Sequence, residues 1–379
     1  MAGIGGLFVG LLSGTSVDAI DAALLRIASD GTRLLGTLAV PIPADIKAEL
    51  LHLSECDAAP IDRIGVLDRR FGVCLAEAVQ QLLLHTNTPP QAVRAIGSHG
   101  QTIRHRPPRT DEPGFSWQIG DPHTIAEMTG ICTVADFRRR DIAAGGQGAP
   151  LAPAFHQWAF SSIASDRIIL NIGGMANISV LPAECGAVHG FDTGPGNALL
   201  DAWIRRHRDA EYDHDGAWAR GGRVDHVLLA RLRAHPYFTA PPPKSTGREE
   251  FNLAWIDSLQ HAMDVAPQDV QATLAALTVT TICEAIEREI PNTGEVFVCG
   301  GGVHNSLLME RLAERLHPRP VRSTEALGID PDWVEAALFA WLACQTLNSL
   351  PGNLPMVTGA RHTVTLGSIH PGACTAGSD

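Results

Sequence analysis

Leu11-Leu12-Ser13-Gly14-Thr15-Ser16-Val17-Asp18-Ala19-Ile20-Asp21 joins two runs of different pattern. The run that enters it, from Gly6 to Leu12, is apolar, and the run that leaves it, from Ile20 to Arg26, alternates. The pattern predicts a strand, a tight turn and a returning strand. A turn of Ser13, Gly14, Thr15 and Ser16 lets backbone N–H groups and hydroxyls converge on one small anion, because no bulky side chain keeps a phosphate away. Asp18 and Asp21 follow within reach. Carboxylates beside a phosphate-sized nest make chemical sense with a divalent cation between the two negative groups. The same residues also suit an ordinary Ser/Gly hairpin with a turn aspartate.

About half a chain later the pattern returns. Ile168 to Ile172 is apolar, Gly173-Gly174 is a turn, and Met175 to Val180 returns as a strand. Two such units suggest a duplicated architecture with two phosphate-facing hairpins. Next comes Gly190-Phe191-Asp192-Thr193-Gly194-Pro195-Gly196-Asn197, read as a loop entering a helix that begins at Ala198. The glycines allow close backbone approach to a ligand beside Asp192; capping or turn-making is the other reading of that carboxylate. A buried strand, 295–299, ends in Gly300-Gly301-Gly302-Val303-His304-Asn305 before a helix over 306–316. Glycines at a strand end let the backbone lie flat against a planar ring such as adenine, although the run does not match G-x-G-x-x-G.

Between these landmarks, 34–40 reads as a third strand closed by Pro41 and Pro43, and 62–85 as a long helix with apolar residues at helical spacing. A short strand, 92–96, delivers Gly97-Ser98-His99-Gly100-Gln101-Thr102 to its C-terminal end, where ligand sites of α/β sheets collect. His99 is a ligand-facing candidate or a turn histidine with a satisfied hydrogen bond. Gln118-Ile119-Gly120-Asp121-Pro122 precedes a helix over 123–130, and 133–135 is a strand. Of the charged run that follows, Arg139 and Arg140 read as a solvated face. Arg138, between Asp136 and the loop Gly145-Gly146-Gln147-Gly148-Ala149-Pro150, suits a carboxylate or phosphate clamp. The polar segment 209–223 reads as exposed and mobile, 241–249 as a rigid proline-led loop, and 270–290 as a helix. Asp330-Pro331-Asp332 reads as a helix start with Asp330 at the cap, Pro331 in the first turn and Glu335 one turn in.

With 379 residues, 45% hydrophobic and 18% charged, the chain can form two ordinary domains with their own cores. A net charge of −12 argues against a nucleic-acid binder, which needs a basic surface. The lysines are Lys47 and Lys244, and neither follows a G-x-x-x-x-G-K loop, which excludes a Walker site and a protein-kinase signature. Eight scattered cysteines with no C-x-x-C pair suggest neither a zinc site nor a disulfide framework. No basic residue precedes Arg26 and no apolar run is long enough to span a bilayer, so the expected setting is the cytoplasm, without a signal peptide.

Together the phosphate hairpin, the second glycine hairpin and the strand-GGG-x-x-N-helix unit resemble the actin, Hsp70 and sugar-kinase superfamily. More narrowly, SGTSVDAID, SHGQTIRHRP, QIGDP, DFRRRDIAAGGQGAPLAPAFH, LNIGGMANIS, GFDTGPGN, PKSTGRE, VCGGGVHN and the final TGA are similar, in order and across nearly the whole chain, to motifs of the anhydro-N-acetylmuramic acid kinases. The resemblance implies an α/β fold of two related actin-like ATPase (ribonuclease H-like) domains with ATP in a cleft between them. Domain I would be 1–135 plus about 345–379, with the first hairpin and part of the sugar site; domain II would be 136–344, with the second hairpin, the catalytic base and the adenosine site.

The resemblance also implies ATP and Mg²⁺, with Gly14, Thr15, Ser16, Val17, Asp18, Ala19, Ile20 and Asp21 around the terminal phosphates. Gly173, Gly174 and Asn177 would form the facing hairpin, and Gly300, Gly301, Gly302 and Asn305 would lie beneath the adenosine. Asp192 would be the base, His99, Asp121, Arg138 and Glu335 would meet the sugar, and no residue is assigned as a direct metal ligand. The substrate would be 1,6-anhydro-N-acetylmuramic acid from cell-wall turnover, the product its ring-opened 6-phosphate, and the assembly a homodimer. Ala19 departs from the glycine usual in SGTSxDGxD, which is harmless at negative φ and strained at positive φ. Two alternatives stay open: a kinase for a different sugar, which needs no water-activating base, and a nucleotide-switched scaffold.

Overall fold

The structure is a computed structural model that describes residues 5–14, 17–28, 31–56, 58–108, 112–183, 186–242, 244–260, 264–291 and 294–372. Contacts divide the chain into two compact units, Met1–Phe155 with Trp333–Asp379, and His156–Asp332. The order of motifs puts those boundaries near 135 and 344 instead.

The first unit opens with an antiparallel meander, β1 (Gly6–Ser13), β2 (Ala19–Ala28) and β3 (Gly31–Pro41), with Leu12 opposite Asp21 and Ser13 opposite Ile20 at the first turn. Helices α1 (Ala44–Glu55) and α2 (Ile61–His85) follow, and α2 buries the expected stripe of Leu67, Phe71, Leu75, Val79 and Leu82. Strand β4 (Val93–Ser98) runs parallel to β1. A separate hairpin, β5 (Gln101–Arg106) with β6 (Phe115–Ile119), intervenes before α3 (Pro122–Thr129), and β7 (Thr133–Ala135) then runs parallel to β4. Short α4 (Arg139–Ala143) and α5 (Ala152–Phe160) carry the chain onward.

The second unit repeats the plan. Strands β8 (Arg167–Ile172), β9 (Met175–Leu181) and β10 (His189–Pro195) form an antiparallel meander. A helical stretch follows: α6 (Ala198–Arg208), α7 (Ala217–Gly221), α8 (His226–Arg233), α9 (Pro236–Thr239), α10 (Leu253–Gln260) and the long α11 (Pro267–Glu289). Strand β11 (Glu295–Cys299) is parallel to β8, and after α12 (Ser306–Leu316) strand β12 (Val321–Ser323) is parallel to β11. The core here packs Ile168, Leu170 and Ile172 with Leu274, Leu277 and Ile282 of α11 and with Trp203 and Phe251. The chain then returns to the first unit with α13 (Val334–Leu347), α14 (Pro355–Thr358) and β13 (Ser368–His370).

The strand orders are β13-β7-β4-β1-β2-β3 and β10-β9-β8-β11-β12. In each sheet a meander is extended on the far side of its first strand by two parallel strands. That is the ribonuclease H-like order, present twice, as the two glycine hairpins predict.

Three local expectations are corrected. Helix α13 begins at Val334 rather than at Pro331, because Asp330 Oδ1 accepts the Asp332 N–H at 3.0 Å and closes a turn, while Pro331 O accepts the Gly300 N–H at 3.0 Å. Segment 209–223 is not a mobile loop: buried Asp213 accepts the N–H groups of Trp218 and Ala219, each at 2.9 Å, and the Gln271 amide at 3.2 Å, which ties the segment to α11. Such a carboxylate knot is costly to expose and orders the loop around it. Asp192, finally, lies in strand β10 and not in a loop entering a helix. Among the described residues no helix is long and apolar enough to cross a membrane.

Candidate functional site

Asp192 is paired by register with Asn177 on β9, and Asn177 with Asn171 on β8, so the three polar side chains share one sheet face. The register shifts just after Asp192, a bulge that re-aims the chain as it leaves the sheet. Helix α9 and the loop after it hold Asp192 by its carboxylate and its backbone. Thr246 N–H donates to Asp192 Oδ2 at 3.0 Å, the Asp192 N–H donates to Lys244 O at 3.3 Å, and the Tyr237 hydroxyl donates to Asp192 O at 2.7 Å. Lys244 is itself pinned, with Nζ donating to Tyr237 O at 2.9 Å and lying 4.6 Å from the centre of the Tyr237 ring. Burial raises the Asp192 pKa to about 6, against the opposing pull of the Thr246 N–H and the Lys244 charge. A carboxylate so placed is ionised at neutral pH yet basic enough to take a proton.

The Gly173-Gly174 turn joining β8 to β9 is fastened to the start of α6. Gly173 O accepts from Asn197 N at 2.8 Å, and Gly174 O accepts from Gly196 N at 2.9 Å and Ala198 N at 3.0 Å. Close by in the same unit lies a cavity of about 500 Å³ lined by Asn197, Leu200, Asp201, His214, Gly301 and Asn305, among others. Gly300 turns the chain at φ 78, Gly302 packs on Ile172, and Gly301 has open space where a side chain would stand. Asn305 caps α12 by accepting the Leu308 N–H at 3.2 Å. The strand-GGG-x-x-N unit thus contributes to the wall of a chamber large enough for a nucleoside. Asp201, also lining it, is raised by burial to about 6.

In the first unit, β1 and β4 end side by side with Leu11 opposite Ser98, and the His99 N–H donates to Leu11 O at 3.0 Å. Beyond them the Ser13 and Ser98 hydroxyls and Gln101 Oε1 are buried with no hydrogen-bond partner among the described residues. Buried polar atoms left so at parallel strand ends mark a place for a polar ligand. His99 Nδ1–H donates to Gly100 O at 3.0 Å and Nε2 accepts from Arg138 Nη2 at 2.9 Å, which fixes a neutral imidazole. Burial and the Arg138 charge hold its pKa well below the ordinary value. Arg138 also donates from Nη1 to Gly148 O at 2.8 Å, and Glu335, raised by burial, feels its charge. His99, Arg138 and Glu335 are therefore brought together.

Asp121 caps α3, accepting the N–H groups of His123 at 3.0 Å and Thr124 at 3.2 Å. It lines a cavity of about 330 Å³ with Ser98, His99, Asp68, Asp136 and Arg139. Arg139 is exposed, as the reading of a solvated face has it, and also lines the edge of this cavity. The glycine loop after α4 is held by Asp141, which is fully buried and accepts from Gly148 N at 2.8 Å, Asn353 Nδ2 at 2.7 Å and Thr358 Oγ1 at 2.7 Å.

At the first hairpin, Thr15 and Ser16 lie outside the described residues. Val17, buried, is left-handed (φ 55), its N–H donating to Gly14 O at 3.1 Å. Ala19 is not among the residues with positive φ and starts β2, so alanine fits there without strain. Asp18 meets Lys47 Nζ at 2.5 Å on the surface, and Asp21 and Ile20 lie in β2. Among the described residues no group of three or more His, Cys, Asp or Glu gathers as a metal cage.

Sequence reading missed the grip on Asp192 by Thr246, Lys244 and Tyr237, the orphaned Ser98 and Gln101, and the Asp141 knot. PKSTGRE stood out only as a motif without a role.

A duplicated ribonuclease H-like topology, with a glycine turn, a buried carboxylate and a nucleoside-sized chamber in one unit, places the chain in the actin-like ATPase fold class. The family model for anhydro-N-acetylmuramic acid kinase matches residues 6–372. The chain is 50% identical over 369 residues to the anhydro-N-acetylmuramic acid kinase of Xylella fastidiosa (strain Temecula1), covering 96% of each chain. It is also 50% identical over 365 residues to that of Pseudomonas syringae pv. tomato, covering 96% of this chain and 99% of the other. The chain belongs to the anhydro-N-acetylmuramic acid kinase family: it is an ATP-dependent kinase of peptidoglycan recycling. Solved structures align at low TM-score, as does the ROK hexokinase from Thermus thermophilus (0.37, 18% identity, 89% of this chain and 99% of that one); the topology, not that likeness, carries the fold.

Proposed function

We propose that Asp192 is the general base that drives hydrolytic opening of the 1,6-anhydro bridge during phosphorylation of O6. The observation that carries this is a buried carboxylate with a pKa near 6, held by the Thr246 N–H beside Asn177 of the glycine hairpin. Glycoside hydrolysis ordinarily takes two carboxyl groups, one to activate water and one to protonate the leaving oxygen. Here the second is not needed. Water attacks C1 as Asp192 takes its proton, the C1–O6 bond breaks, and O6 attacks the γ-phosphorus while ADP leaves. The products are the 6-phosphate and ADP.

The roles of the other residues follow. The chamber of Gly301 and Asn305, with Gly300 and Gly302 shaping it, receives the adenosine, and Gly173, Gly174 and Asn177 face the phosphates. Residues Gly14 to Asp21 meet them from the first hairpin. Mg²⁺, when bound, neutralises the β- and γ-phosphoryl oxygens, and Asp18 and Asp21 are the carboxylates that would hold its water shell. Ser13, Ser98 and Gln101 supply the missing hydrogen bonds to the sugar. Arg138, whose fork carries more N–H donors than His99 and Gly148 use, faces the lactyl carboxylate. His99 holds it in place, Glu335 balances its charge, and Asp121 shapes the sugar cavity through α3. The setting is the cytoplasm and the assembly a homodimer, both implied by the resemblance.

ADP release by the purified protein with Mg-ATP tests this, comparing 1,6-anhydro-N-acetylmuramic acid with N-acetylmuramic acid and N-acetylglucosamine. Turnover with the anhydro sugar alone, with solvent ¹⁸O entering at C1, is expected. Equal turnover of N-acetylmuramic acid overturns the water-activating role.

The pH profile gives a second expectation. A base must be ionised, so kcat/KM is flat above the Asp192 pKa and falls about tenfold per pH unit below about 6. A limb that stays flat down to pH 4.5 contradicts the assignment.

A further inference from the structure

We propose that Arg248 is a further catalytic residue of this kinase, the cation that touches the terminal phosphates of the bound nucleotide. This rests on the reading that the Gly173-Gly174 hairpin faces those phosphates. Arg248 stands two residues after Thr246, on the same loop whose N–H holds Asp192. Its Nη2 lies 3.8 Å from the point where a Cβ would stand on Gly174, so the guanidinium occupies the space above the glycine turn. Its charge also acts on Asp201, a wall of the nucleoside-sized chamber. The guanidinium therefore lies over the turn, on a loop of the same unit as the chamber.

Two further observations separate this residue from an ordinary surface arginine. Its backbone is pinned: Arg248 O accepts from Asn252 Nδ2 at 3.2 Å, and Gly247 O accepts the N–H of buried Phe251 at 3.1 Å. Yet among the described residues its guanidinium makes no hydrogen bond or ion pair with the protein, and the side chain is exposed. A fork held in place by its loop and left without a protein partner is matched to an anionic ligand. Neither lysine is available instead, since Lys47 is paired with Asp18 and Lys244 is fastened to Tyr237. Phosphoryl transfer accumulates charge on the equatorial oxygens, which a guanidinium stabilises most in the transition state. One loop then organises both halves of the reaction, the base through Thr246 and the phosphoryl group through Arg248.

Arg248→Met and Arg248→Lys test it by calorimetric binding of ADP and of a non-hydrolysable ATP analogue, with kcat measured in parallel. For Arg248→Met we expect kcat to fall about 100-fold, affinity for the analogue to fall about tenfold, and affinity for ADP to change less than about twofold. Added guanidinium ion should restore part of the lost kcat, which a structural defect would not allow. Unchanged kcat, or equal weakening of ADP and the analogue, overturns the proposal. Gly173→Asp, at a position with room for a side chain, tests the underlying reading separately. It should weaken both nucleotides by charge repulsion; if it weakens neither, the hairpin reading falls and Arg248 with it, whereas a normal Arg248→Met beside a defective Gly173→Asp removes Arg248 alone.

Discussion

Asp192→Asn is expected to lose at least about 1,000-fold in kcat while nucleotide affinity stays within about twofold of the parent enzyme. Asparagine is nearly isosteric and its Oδ1 still accepts the Thr246 N–H, so the loop from Lys244 to Glu250 keeps its anchor. What is lost is the capacity to take a proton from water. Inactivation by unfolding is separable, because the stability change has the opposite sign. Burial raises the Asp192 pKa from 3.8 to about 6, so the folded protein holds the proton more tightly than the unfolded chain, and ionisation destabilises the fold. The penalty is absent below about pH 4, grows as pH rises towards 6, and is constant above. Asn does not titrate, so the variant should be the more stable of the two at pH 7, on the order of 1–2 kcal/mol, with the difference shrinking in urea melts taken down to pH 4. Wild-type turnover in this variant would sink the assignment.

Much of this architecture was legible because local pattern and global fold agree. The two glycine hairpins stand out since each follows an apolar strand and needs small residues at one point, and helix α2 shows an uninterrupted apolar stripe. What stayed hidden depends on partners distant in the chain. Asp192 reads as a loop residue because Gly190, Gly194 and Gly196 are turn signals, and only the pairing with Asn177 makes it a strand. The grip of Thr246 spans 54 residues and uses a backbone N–H, which has no side-chain signature. Hairpin β5-β6 escaped for a related reason: its arginine, histidine and glutamine residues obscure the apolar alternation of a half-buried strand. Segment 209–223 looked mobile by composition, and one buried carboxylate, Asp213, overrides that composition. Arg248 was visible only as a letter in PKSTGRE; its meaning lies in what stands across from it.

Gly97→Ala should be among the most damaging single methyl groups in the first unit. Glycine within a strand signals either a bulge or a close backbone approach, and here it is the second. A Cβ on Gly97 would lie 1.9 Å from Phe339 O, and one on Gly10 would lie 1.8 Å from Ala336 O. Helix α13 thus rests its backbone on β4 and β1, with buried Ala336, Ala340 and Ala343 completing a small-residue seam. The obstructing atoms are main chain and cannot rotate away, so the helix must lift. Overpacking of this kind costs about 3 kcal/mol, a fall in Tm of roughly 8 °C. The damage should also reach the sugar site, because Phe339 packs at 4.6 Å on the His99 ring and Glu335 in the first turn of α13 balances Arg138. The KM for the anhydro sugar should rise more than that for ATP. Gly10→Ala combined with Gly97→Ala should cost less than the sum of the two, since both push the same helix off the same sheet. Gly65, exposed on α2 with open space around it, is the control: alanine there should stabilise the protein by about 0.5 kcal/mol. If Gly97→Ala melts with the parent protein, α13 does not lie on the sheet as described, and the positioning of Glu335 and His99 must be rebuilt.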